Sequence, residues 1–192
     1  MSRSFVWLLS VGLGAAALGC SDPVPAAAAI GLRLNIVPSG SCAAAPTRSD
    51  DLGNPPPDKD RLDGQPKKGR PVFNGEQGLD ARCTVSGQGP FQITASASSS
   101  MVSLGISEAQ IAANGTGTAS MSFTSAAIGG SLGNGTCTLN AVPVTENGTT
   151  APGVKPGAVW ATFQCTGLVQ QGSPAVNCAA TGEVLLENCA QN

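Results

Sequence analysis

The sequence predicts an all-β fold, an antiparallel β-sandwich of Greek-key or jelly-roll type with about eight strands and three disulfides. Three observations predict it. Apolar residues recur at every second position through most of the chain, the period of a half-buried strand. Asn-Gly appears four times, at Asn74-Gly75, Asn114-Gly115, Asn134-Gly135 and Asn147-Gly148, and this dipeptide suits the positive φ angles of two-residue hairpin turns. Six cysteines, Cys42, Cys83, Cys137, Cys165, Cys178 and Cys189, follow an export leader that ends at a seventh, Cys20. An even set in an exported chain reads as a disulfide framework.

The strands follow in order. From Ile30 to Val37, Leu32, Leu34 and Ile36 share one face and Arg33 and Asn35 the other. Ala81, Cys83 and Val85 alternate with Arg82, Thr84 and Ser86; Phe91, Ile93, Ala95 and Ala97 alternate with Gln92, Thr94, Ser96 and Ser98. Val102, Leu104 and Ile106 come next, then Ala119, Met121 and Phe123 against Ser120, Ser122 and Thr124. The pattern returns in Cys137 to Val142, Val159 to Cys165 and Gly182 to Asn188. Only Ser107 to Ala113 departs from it and reads as room for one short helical turn. Beyond Cys20 the aromatics are few, namely Phe73, Phe91, Phe123, Trp160 and Phe163. The core is therefore built from Val, Leu, Ile and Ala, which bury less per residue. Disulfides worth about 2 to 4 kcal/mol each offset that.

No two of the six later cysteines stand at C-x₂-C or C-x₄-C spacing and the chain has no histidine, so neither a zinc site nor another cofactor is expected. Many pairings are open to six cysteines. Hairpin geometry selects Cys165 with Cys178, which flank the connection between two consecutive strands. Joining Cys42 to Cys83 would hold the ends of a long charged excursion, and Cys137 then pairs with Cys189 by elimination.

The leader begins with one positive charge at Arg3 and continues with fourteen apolar or small residues from Phe5 to Leu18. A bilayer-spanning helix needs about 20, so this is an export signal. Its end, Ala17-Leu18-Gly19-Cys20, resembles the lipobox of bacterial lipoproteins. The resemblance implies a diacylglycerol thioether on Cys20, cleavage before it, and an N-terminus acylated by palmitate-like chains. Because Ser21 rather than an acidic residue follows, it also implies the outer membrane. The expected organisation is a lipoprotein signal peptide at 1–19, a lipidated tether at 20–29 and a single domain at 30–192. The membrane is then a partner through the lipid. Ordinary secretory cleavage nearby, with Cys20 incidental, is the other reading.

Half of all charged residues lie between Arg48 and Arg70, together with Pro55-Pro56-Pro57, Pro66 and several glycines. With so little to bury, 44–72 reads as a charged Pro/Gly-rich loop within the domain. Asp58 to Gly64 resembles the start of a calcium loop, but the third carboxylate is one residue late and Gly69 stands where a closing Glu belongs. Cleavage at Cys20 would leave nine basic and twelve acidic side chains, and such a surface does not attract nucleic acid.

Without histidine or tyrosine no Ser-His-Asp or Cys-His arrangement exists. Glu183 and Glu187 share a strand face about 13 Å apart, wider than a glycosidase pair, and read as a solvated face. Lys155 is the one lysine outside the charged loop and sits in Pro152-Gly153-Val154-Lys155-Pro156-Gly157, an exposed turn that offers no burial to activate it. Gly129-Gly130-Ser131-Leu132-Gly133 lacks the Lys of a phosphate loop. Asn114, Asn134 and Asn147 each begin Asn-Gly-Thr, which matches a glycosylation acceptor but reads first as a turn leading into a strand. Trp160 alternates in a strand and is expected to pack rather than to form a sugar platform.

The segments Cys83-Thr84-Val85-Ser86-Gly87, Trp160-Ala161-Thr162-Phe163-Gln164-Cys165 and Glu187-Asn188-Cys189 are similar to those of a group of small, cysteine-rich β-sandwich lipoproteins of predatory gliding soil bacteria, whose function is unassigned. The resemblance, over Pro71 to Cys189, implies fold and envelope location and carries over no active residue. The functional expectation is a lipid-anchored, non-catalytic surface or interaction module whose partner is an envelope or extracellular protein or a glycan. Behind it stand a small-ligand or glycan binder and a carboxylate-dependent hydrolase. A concave pocket with two carboxylates within catalytic reach, or an exposed Trp160, would point to a rival, whereas a buried Trp160 and no pocket favour the first.

Overall fold

Alternation in sequence becomes alternation in burial wherever a strand has one face on the core. A computed structural model describes residues 26–37, 42, 48–53, 70–126, 130–146, 149–172 and 177–191. Among these, the strands are β1 (Ala29–Val37), β2 (Arg48–Leu52), β3 (Val72–Phe73), β4 (Asp80–Ser86), β5 (Phe91–Ser98), β6 (Val102–Ile111) and β7 (Thr116–Ser125). They continue with β8 (Gly130–Ala141), β9 (Val144–Glu146), β10 (Thr149–Ala151), β11 (Val154–Lys155), β12 (Ala158–Gln170) and β13 (Asn177–Glu187). In β5, Phe91, Ile93, Ala95 and Ala97 are buried while Gln92, Thr94, Ser96 and Ser98 are exposed. In β1, Ile30, Leu32, Leu34 and Ile36 all point into the same core.

The all-β, antiparallel, three-disulfide expectation holds. Among the described residues, eleven of the strands belong to one hydrogen-bonded sheet and two form a separate pair. Nine of them form one path, β2-β1-β13-β12-β8-β7-β6-β5-β4, with β3 added to β1 and β11 to β12; β9 and β10 pair separately. From β4 to β8 the path is an up-and-down meander, and the N-terminal strand completes it beside the C-terminal one. The path then bends back on itself. Beyond β13, Ala190 donates its N–H to the Cys83 carbonyl at 2.9 Å and accepts from Val85 N–H at 2.9 Å, a parallel bridge to β4. One rolled sheet thus encloses one core cluster.

The ordered fold also begins earlier than residue 30. Ala29 opens β1, Asn74 N–H donates to the Ala28 carbonyl, and Asn188 Nδ2 donates to the Ala27 carbonyl.

Rolling explains why the expected disulfide pairing is wrong although all six cysteines are bonded. Cys137 and Cys165 lie directly opposite each other on β8 and β12. Cys178 bonds Cys42, because β13 also neighbours β1, whose last residue Val37 pairs with Ala179. Cys83 bonds Cys189 across the seam where the sheet closes. Hairpin proximity of Cys165 and Cys178 fails because Cys165 stands opposite Ala180, and Cys178 opposite Leu168 beyond a bulge.

Four further expectations change. The charged loop begins as a strand: β2 pairs with β1, and Leu52 is buried opposite Leu32. An edge strand with one core face needs few apolar residues. Ser107 to Ile111 is strand, not helix. A bulge places Ser107 and Glu108 outward in succession, so Ile106 and Ala109 are both buried at a helix-like spacing. Asn134-Gly135 lies inside β8, where the register to β7 shifts, and makes no hairpin. A Cβ at Gly135 would stand 2.8 Å from Leu168 Cγ, which accounts for the glycine. Pro152 to Gly157 is not all turn, since β11 pairs with β12 there.

By contrast, Asn114-Gly115 does join β6 to β7, with Gly115 N–H donating to the Ala112 carbonyl at 3.3 Å. Asn74-Gly75 leads into a single 3-10 turn, Glu76–Gly78. The leader, Cys20, the Asp58–Gly64 segment and Asn147-Gly148 lie outside the described residues.

Candidate functional site

Register decides which outward side chains become neighbours. Across seven strands it aligns Gln92, Gln110, Thr118, Thr138, Gln164, Thr181 and Asn35, each directly opposite the next. Strands repeat at about 4.8 Å, so six steps extend the row to about 29 Å along the curved sheet. The first five side chains are exposed, and Thr181 and Asn35 are half-buried. A second row on the same face, Ser107, Ser120, Thr136 and Thr166, is again all hydroxyl. The strands β5, β6, β7, β8 and β12 carry a single charged residue between them, Glu108.

The row is concave at one point. Gln110, Thr116, Thr118 and Thr138 line a depression of about 460 Å³ together with Pro90, from the turn that joins β4 to β5. Its lining combines three hydroxyls and one carboxamide with the apolar Pro90, Ile111 and Ala112.

Charge appears on the strands at both ends of the sheet: Asp80 and Arg82 are exposed on β4, 3.9 Å apart. Asp51, Arg33 and Glu183 align across β2, β1 and β13, with Arg33 Nε 3.9 Å from Asp51 Oδ1. Glu183 is therefore half-buried with Oε2 enclosed, not part of a solvated face as expected. It does share the outward face with Glu187.

Two other depressions, of about 450 and 370 Å³, flank the Cys83–Cys189 seam and share Arg82, Cys83 and Ala190. The first is also lined by Ala26 and Ala28, so the chain enters the domain beside this disulfide. None of the three depressions is lined by a carboxylate.

Trp160 is 2% exposed. It packs differently from a core residue of the expected kind: it lies opposite Leu185 on the outward face of β12 and β13, while Val159 and Ala161 face the core. Its Nε1 is buried with no hydrogen-bond partner among the described residues. Lys155 is exposed on β11. Among the described residues no group of three His, Cys, Asp or Glu side chains is placed to hold a metal. The uncharged row was missed by sequence reasoning because its members are scattered from residue 35 to 181 and meet only through register. The chain matches no protein-family model, and no curated protein or solved structure is significantly similar to it.

Proposed function

We propose that this chain is a lipid-anchored cell-envelope protein, held at the outer membrane through Cys20, in which a disulfide-stapled domain acts as a non-catalytic surface or interaction module. The cysteine arithmetic carries the reading: six of the seven are consumed in three disulfides, leaving Cys20, which ends an apolar leader. Stable disulfides belong to oxidising compartments outside the cytosol, in keeping with export. Acyl chains contribute about 0.8 kcal/mol per buried CH₂, and more than one chain on Cys20 meets the condition for stable anchoring.

The non-catalytic part draws on the side chains that face the described depressions. These are hydroxyls, two carboxamides, apolar groups and one guanidinium, which hold a partner rather than supply an acid and base pair. The indole of Trp160 is packed away.

The experiment is mass spectrometry of the N-terminal peptide of the exported protein, with membrane fractionation and globomycin treatment. A diacylglyceryl Cys20 in the outer-membrane fraction and accumulation of precursor under globomycin are expected. An unmodified Cys20 in the exported protein overturns the anchor.

A further inference from the structure

We propose that the uncharged row from Gln92 to Asn35, entered at the depression beside Pro90, is the docking site for a neutral polysaccharide chain. The proposal rests on the surface-module reading and names the chemistry of its partner. Threonine hydroxyls and glutamine and asparagine carboxamides each donate and accept. Sugar hydroxyls do the same, so the side chains of the row and a neutral sugar can satisfy each other's hydrogen bonds, although Arg33 and Glu183 flank its far end.

Charge argues against the other partners. A charged ligand gives up hydration on docking and needs a counter-charge, whereas five consecutive strands of this face present one charged residue, Glu108. Protein interfaces concentrate binding energy in Trp, Tyr and Arg, and the row has none. Among the described residues the one exposed large hydrophobic is Met101, between β5 and β6 and off the row.

The geometry suits an elongated ligand. The row runs perpendicular to the strands with a hydrogen-bonding group at every interstrand step of about 4.8 Å, an interval close to the length of one sugar unit. The depression supplies concavity where the row begins, and Pro90 gives an apolar wall for the C–H face of a ring. With no aromatic platform, affinity accumulates from many weak contacts. Longer oligosaccharides therefore bind more tightly than short ones.

The test titrates the purified full-length protein, in detergent micelles, with neutral polymers of different linkage (laminarin, hydroxyethylcellulose and dextran) and with anionic alginate. At least one neutral polymer binds and alginate does not. Thr118→Ala with Thr138→Ala weakens binding at least tenfold, Thr118→Ser with Thr138→Ser restores most of it, and Thr124→Ala, an exposed hydroxyl elsewhere on β7, leaves it unchanged. Binding to no neutral polymer, or equal binding to alginate, overturns the site. So does binding indifferent to the alanine pair, or concentration-dependent self-association abolished by that pair, which assigns the face to a second copy. Each of these leaves the anchored-module reading standing. Release of reducing ends from a bound polymer would instead overturn the non-catalytic reading while keeping the site.

Discussion

Phe163 on β12 lies directly opposite Gly182 on β13, and its ring fills the space a side chain at 182 would need. A Cβ there would stand 2.7 Å from Phe163 Cζ and would also press on the backbone carbonyl of Arg33. Phe163 cannot retreat easily, because it stacks on Phe123 with ring centroids 5.4 Å apart. Gly182→Ala should cost about 3 kcal/mol or more, the top of the usual range for overpacking a core, because the Arg33 carbonyl is closer than the ring and belongs to the backbone. Phe163→Leu in the same chain should recover part of that and no more, since the Arg33 carbonyl remains. Urea midpoints of both single variants and the double variant measure the coupling, and strict additivity would refute the contact.

The disulfides differ in what they enclose. Cys83–Cys189 closes a sequence separation of 106 and Cys137–Cys165 one of 28. On the chain-entropy model these correspond to about 5 and about 3.5 kcal/mol. Cys137–Cys165 also joins strands already hydrogen-bonded along most of their length, whereas Cys83–Cys189 reinforces a seam held by the two Ala190 hydrogen bonds. Replacing Cys83 and Cys189 by serine should therefore lower stability more than replacing Cys137 and Cys165. Denaturant unfolding ranks them, and non-reducing peptide mapping should recover the linked peptides 42–178, 83–189 and 137–165.

Much of the strand content was legible because burial on one face writes a period of two into the sequence. All eight strands read from alternation are present, from β1 through β13. What misled were local exceptions with physical causes. The bulge at Glu108 imitates a helical spacing, and Gly135 follows Asn134 because Leu168 occupies its Cβ space, not because the chain turns. The disulfide pairing and the uncharged row were illegible for a shared reason: both depend on which strands are neighbours and in what register. The contacts that decide this join Val37 to Ala179 and Thr84 to Ala190, far apart along the chain.

Asp50 on the edge strand β2 is paired with Leu34, whose side chain is fully buried, so the carboxylate sits on the inward face. There Oδ2 accepts a hydrogen bond from Ser125 Oγ at the end of β7, and Ser125 is 1% exposed. An inward charge on an edge strand also discourages another chain from adding there. Asp50→Ala should cost about 1 to 3 kcal/mol by removing the acceptor of a buried hydroxyl. Asp50→Asn, which keeps an acceptor oxygen, should cost less. Thermal melts of the two variants check the order, and equal losses would mean that the hydrogen bond contributes little.

Glu108 is exposed, yet its φ is 52°, in the left-handed region, at the bulge that resets β6 against both β5 and β7. A side chain there costs about 1 to 2 kcal/mol relative to right-handed backbone, while glycine adopts the conformation freely but loses about 0.5 to 1 kcal/mol more chain entropy on folding. The first term is the larger. Glu108→Gly should therefore stabilise the domain by roughly 0.5 to 1 kcal/mol, although it removes a side chain from a strand. Glu108→Val should destabilise it, because a β-branched residue fits left-handed backbone worst of all. Denaturant midpoints of the two variants should move in opposite directions from the parent. A glycine variant less stable than the parent would show that contacts of the Glu108 side chain, rather than its backbone, decide this position.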